Sequence, residues 1–128
     1  MGDRSKNLSD HEFRCKCRFR APHLPKCQQV FAPNELIDVV QDVRSHFGQP
    51  VTIHSGHRCE NYNLFVGGAK HSQHIKATAA DITVKGVTPD EVQEYLLGRY
   101  PTEYGIGRYN TFTHVDVRDY KARWDHRR

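Results

Sequence analysis

Thirteen residues, "KHSQHIKATAADI" at positions 70–82, limit what this chain can fold into more than any other stretch. The segment carries His71 and His74 and then runs into the apolar stretch Ala79-Ala80-Asp81-Ile82. A surface loop accounts for the histidines but not for a carboxylate inside an apolar run. A core strand accounts for Ile82 but not for the aspartate before it. Burying Asp81 requires a partner strong enough to offset its desolvation, and the candidates are an arginine or a metal ion.

The rest of the chain reads as an α+β pattern. "SDHE" at 9–12 is a capping box opening a short turn, and Pro22, Pro25 and Pro33 mark an irregular connection. From Asn34, the apolar positions Leu36, Val39, Val40, Val43 and Phe47 fall at helical spacing until Gly48 stops the helix. "VTIHSG" then reads as a strand, "RCENYNLFVGG" as a short helix ended by paired glycines, and "AADITV" as a second strand. Thr88 and Glu91 form another capping box, with Pro89 at the first helical position of a helix running to about Arg99. "YGIGRY" and "THVDVR" alternate as two further strands, joined as a hairpin.

At 128 residues the chain is long enough for one domain with a core that needs no disulfide staples. The expected organisation is an irregular cysteine-containing arm over residues 1–33 and a core over 34–128. Hydrophobic content of 37%, charged content of 27% and a mean hydropathy of −0.77 suit a polar, soluble protein. No apolar targeting segment and no run of 18 apolar residues is present, so synthesis in the cytoplasm without a signal peptide and no membrane insertion are expected. The net charge of +4 suits an anionic partner. Much of it lies in the two ends, as Arg14, Lys16, Arg18 and Arg20 and then Arg118, Lys121, Arg123, Arg127 and Arg128. Basic ends serve solubility more often than recognition, which argues against nucleic acid as the partner.

Four cysteines are present, Cys15, Cys17, Cys27 and Cys59. A C-x-C with a third cysteine ten residues on suits a structural zinc or a disulfide, but no paired C-x-x-C spacing occurs. The simpler expectation is free or partly paired cysteines that pin the N-terminal arm to Cys59, with the redox state open.

His74 and Asp81 are separated by six residues, so a loop running into a strand must bring them together. On "THVDVR", strand alternation puts His114 and Asp116 on one face. Two histidines and a carboxylate around an open position form the usual ligand set of a catalytic zinc, to be weighed against a loop histidine and a salt-bridged aspartate.

"SQHIKATAAD" closely resembles the S-x-H-x-x-G-x-A-x-D motif of the zinc D-Ala-D-Ala carboxypeptidases and murein endopeptidases, through Ser72, His74, Ala79 and Asp81. Ala77 stands where that family usually has glycine. The resemblance extends to "HEFRCKC", to "SGHRCENYNLFVGG" (relatives carry a similar S-G-x-R-x-x-x-x-N) and to "GIGRYNTFTHVDVRDYKARW", in the right order over most of the chain. The branch it resembles is the small single-domain form common in phage and prophage genomes.

The resemblance implies a Hedgehog/DD-peptidase-like fold, with a central antiparallel sheet and flanking helices. It implies one zinc ion held by His74, Asp81 and His114, Arg58 binding a substrate carboxylate through its planar fork, and Ser72 bonding within the metal loop or to the substrate. Many relatives carry an acidic residue three positions before the last histidine, where this chain has Thr111. Asp116 is therefore the catalytic candidate for general base, with a role as ligand partner or ligand open and Glu103 as a further candidate. His54, His57 and His71 are expected on the pocket wall or the surface. The implied activity is hydrolysis of a peptide bond in peptidoglycan stem peptides or cross-links by a monomer acting on the cell wall, after release or within a phage particle. A non-catalytic wall-binding or protein-binding module of the same fold, and a basic nucleic-acid binder with structural zinc, are the competing classes.

Overall fold

The apolar stripe beginning at Leu36 folds as its spacing demands. The computed structural model describes residues 2–24 and 29–128, so Cys27 and Pro25 fall outside the described residues. After a 3-10 turn over Asp10–Phe13 comes α1 (Cys17–Arg20), a single turn inside the segment expected to be irregular. Helix α2 (Asn34–Phe47) buries Leu36, Ile37, Val39, Val40 and Val43, and ends at Gly48, whose φ of 66° closes the last turn through its N–H to the Arg44 carbonyl.

The remaining elements are β1 (Val51–Ser55), α3 (Glu60–Phe65), β2 (Ala79–Val84), α4 (Pro89–Arg99), β3 (Gly105–Arg108), β4 (Thr113–Asp116) and β5 (Ala122–Asp125). The Thr88 hydroxyl accepts the Glu91 N–H at 3.2 Å at the start of α4, so the expected capping box is formed. The strands make one sheet in the order β1-β2-β4-β3-β5. β3 and β4 are the antiparallel hairpin read from the sequence, but β5 adds to β3 in parallel, so the sheet is mixed rather than antiparallel throughout. The reason lies after β4: the chain passes to the far side of β3 instead of turning back beside β4, and re-enters in the same direction as β3.

Side-chain alternation then sorts the sheet into two faces. Ala80, Ile82 and Val84 of β2, Ile106 of β3, and Val115 and Val117 join Leu36, Val40, Val92 and Leu96 of the helices in the main core. Asp81 and His114 are directly paired across β2 and β4, and Gly107 and Gly105 lie opposite His114 and Asp116 across β3. By the same alternation these five residues share the other face of the sheet.

Residues before Pro33 are more than an arm. Leu8 and Phe13 are buried in the main core, while Cys15, Cys17, Ala21, Cys59 and Tyr62 form a second, smaller cluster. Arg4 pairs with Asp10 and donates to the Ala32 carbonyl at 2.6 Å, which holds this segment against the start of α2. Among the described residues no helix is long and apolar enough to cross a membrane.

Candidate metal centre

The loop into β2 is built from its own hydrogen bonds. The Ser72 hydroxyl accepts the His74 N–H at 3.1 Å, the His74 carbonyl accepts the Ala77 N–H at 3.1 Å, and the Thr78 hydroxyl donates to the Gln73 carbonyl at 3.1 Å. This tight turn forces Ala77 to a φ of 63°, in the left-handed region that favours glycine. The departure at Ala77 therefore falls where the backbone favours glycine, and it loads the loop with strain.

The turn places the His74 ring, which is buried, with Nδ1 2.7 Å from the Gly56 carbonyl. That contact requires the proton on Nδ1, and leaves Nε2 directed at Asp81 Oδ1 at 3.3 Å. From the neighbouring strand, His114 brings Nδ1 to 3.0 Å from the same Asp81 oxygen. The two imidazoles meet edge to face, with ring centroids 5.2 Å apart. Asp81 is thus only partly buried, and its partners are two imidazoles rather than an arginine. Burial would raise its carboxyl pKa, but the hydrogen bonds from His114 and His74 outweigh that and hold it well below the usual carboxylate range.

Behind His114 stands Asp116, fully buried, with Oδ2 2.7 Å from His114 Nε2. Arg118 closes the other side with a forked contact, Nε to Oδ1 and Nη2 to Oδ2, each at 2.7 Å. Burial opposes ionisation of Asp116, yet the bonds from Arg118 and His114 prevail and keep its pKa well down. Burial likewise pushes His114 down, while its bonds to Asp116 and Asp81 overcome this and raise it above an ordinary histidine.

The donor set fits zinc. His74, Asp81 and His114 each offer one ligand atom, all within 4.8 Å of one another. Tetrahedral zinc with nitrogen and oxygen donors at 2.0–2.2 Å sets those donors roughly 3.3–3.6 Å apart. The contacts of 3.3 Å and 3.0 Å around Asp81 need only small adjustments to reach that spacing. The outward nitrogen of each histidine is already taken, by Gly56 and by Asp116, which fixes the tautomers a metal requires.

The triad lies in a cleft of about 540 Å³, bordered by Arg58, Ser72, Tyr109, Arg118 and Trp124 among others. Arg58 donates from Nη2 to the Ser72 hydroxyl at 3.3 Å, and its backbone N–H reaches the His74 carbonyl at 2.9 Å. Its Nε is buried without a hydrogen-bond partner, and burial lowers its pKa although Asp81 pulls the other way. Trp124 stands with its ring 5.0 Å from that of His114 and donates its indole N–H to the Tyr109 hydroxyl at 3.0 Å.

Of the residues singled out from sequence, His74, Asp81, His114, Arg58 and Ser72 converge on this cleft. Asp116 is adjacent but closed off behind His114. Thr111 and Glu103 are exposed and do not border the cleft, His54 is on the surface bonded to Thr83, and His57 is buried. His71 borders the cleft, as does His126, which the sequence reading did not single out. Arg118 and Trp124 were also passed over. Arg118 had a readable signal, because D-x-R on a strand puts both side chains on one face; Trp124 reaches the cleft only through the parallel addition of β5.

Among curated proteins and solved structures the chain finds no match. A family model described as Peptidase M15 matches residues 6–116, a span that contains the three clustered donors, Arg58 and Asp116. The chain belongs to the Peptidase M15 family, the zinc-dependent metallopeptidases of the D-Ala-D-Ala carboxypeptidase type.

Proposed function

We propose that this protein is a zinc peptidase that hydrolyses peptide bonds in peptidoglycan stem peptides or cross-links. The observation that carries this is the His74–Asp81–His114 cluster at an open cleft, with both outward histidine nitrogens already held. When bound, zinc supplies water acidified to a pKa of roughly 7 and a Lewis acid for the scissile carbonyl.

The chain's own residues do the rest. Arg58, whose guanidinium makes no ion pair among the described residues, receives a carboxylate of the wall peptide, and Ser72 fixes its orientation. Trp124 and Tyr109 give the peptide an apolar wall. Asp116, fully engaged by Arg118 and His114, serves as the brace of a ligand rather than as the proton acceptor. Asp81 is then the one carboxylate among the described residues bordering the cleft, so the imidazoles of His71 and His126 are left as the groups that can take a proton there. The net charge of +4 favours residence on an anionic wall. The motif likeness supports a Hedgehog/DD-peptidase-like fold and a phage or prophage role in opening the host wall.

A second reading, a zinc-containing module that binds wall peptide without cutting it, draws support from Thr111 and from the lack of a second carboxylate at the cleft. Digestion of purified peptidoglycan followed by mass spectrometry of the soluble products separates the two. Release of peptides with new termini, abolished by a chelator and restored by zinc, is expected. Binding to the wall with no new termini would establish the module instead.

A further inference from the structure

The second small core is built around sulfur. Cys15 precedes α1, Cys17 opens it, and Cys59 stands at the start of α3, yet their three Sγ atoms lie within 4.8 Å of one another. All three are buried, at 2%, 6% and 8% exposure, which rules out incidental surface proximity. The Cys59 N–H points at Cys15 Sγ at 3.4 Å, a contact that favours a thiolate on that sulfur. Gln29 fixes the Cys15 backbone by accepting its N–H at 3.0 Å.

The apolar material around these sulfurs is slight. Among the described residues, Ala21, Tyr62 and the partly buried Leu24 are the other members of the cluster. A helix of four residues has no stability of its own, so α1 requires a tertiary anchor that this cluster is too small to give by hydrophobic burial. A disulfide joins only two of the three clustered sulfurs. A tetrahedral zinc uses all three, at Zn–S of about 2.3 Å and sulfur separations of roughly 3.8 Å. Contraction from the present spacing to that one is small. A cavity of about 340 Å³ bordered by His11, Arg14, Cys15, Lys16 and Arg20 opens beside the cluster, giving a metal a way in and cations to offset the thiolate charge.

We propose that Cys15, Cys17 and Cys59 form a second metal site, a thiolate-held structural zinc that ties the N-terminal segment to the start of α3. Three corners of the tetrahedron come from these sulfurs and the fourth is open to a further donor. Cys59 directly follows Arg58, so the same metal would anchor the backbone that presents Arg58 to the cleft.

Cobalt titration of the full-length reduced protein tests this, because thiolate-to-cobalt charge transfer in the near ultraviolet requires a cysteine ligand, and among the described residues no cysteine borders the His74 centre. Two cobalt equivalents are expected in the wild type, with the charge-transfer band. The band should persist in His74→Ala, which loses the other equivalent, and vanish in a Cys15→Ser/Cys59→Ser variant. Should that double variant fail to fold, the wild-type spectrum decides alone. A reduced wild type that binds cobalt without the band, or thiols that alkylate as fast with zinc present as without it, would overturn the proposal. So would native protein isolated with a disulfide between any two of these cysteines.

Discussion

Asp116 is where two chemistries make opposite demands on one side chain. A general base needs contact with solvent and a free lone pair, whereas Asp116 is fully buried and spends both oxygens on Arg118 and His114. Asp116→Asn is therefore expected to weaken zinc affinity about 10–100-fold, with activity returning in excess metal. Loss of turnover at full zinc occupancy would make it the base after all. Arg58 answers to the reverse pattern: Arg58→Ala should leave zinc bound and lower kcat/KM roughly 10–100-fold, the worth of a charge-assisted hydrogen bond of about 1.5–3 kcal/mol. An unchanged kcat/KM would remove it from substrate binding. Ala77, held at a φ of 63°, is strained for lack of a glycine. Ala77→Gly should raise stability by about 1 kcal/mol, seen as a higher melting temperature, and a lower one would show that its buried methyl contributes more than the strain costs.

At the scale of elements, the centre is a product of strand alternation and of what the third strand lacks. β2 and β4 each put apolar residues toward the helices and a candidate metal donor toward the other face, so Asp81 and His114 pair directly. β3 contributes Gly105 opposite Asp116, where an added Cβ would fall on the Asp116 carboxylate and 2.7 Å from Arg118 Nε. Gly105→Ala should thus reproduce the zinc weakening of Asp116→Asn, while Gly98→Ala in α4, where a Cβ meets nothing, should leave zinc affinity alone. Equal affinity in both would show that the brace is dispensable. Much of this was readable in the chain. Period-two patterns at 79–84 and 113–118 fixed which side chains share a face, and the helix boundaries at Gly48 and Thr88 followed from cap chemistry that is local by nature. β5 and α1 were not readable, because "ARWD" has little apolar alternation and "CRFR" is too short for helical periodicity. Both depend on contacts made far away in sequence. The closing of Asp116 was hidden for the same reason: alternation gave its face but not its neighbours.

For the molecule as a whole, two clusters of metal-ligand type lie on either side of Arg58 in the chain's connectivity. Its backbone N–H is bonded to the His74 carbonyl, and the next residue, Cys59, belongs to the sulfur cluster. The segment that follows β1 is fixed in turn by the His57 N–H to the Phe13 carbonyl at 2.8 Å, so the N-terminal segment, the Arg58 loop and the metal loop form one connected support. A cleft held this way needs little rearrangement to act, which suits catalysis by positioned groups. The proposed activity hinges on the three donors at 74, 81 and 114. The most direct test is the zinc content of His74→Ala beside the wild type, prepared identically and checked for fold by circular dichroism. The account predicts that the variant holds one zinc equivalent fewer than the wild type and releases no peptide from peptidoglycan. Equal zinc content in the two proteins would contradict it.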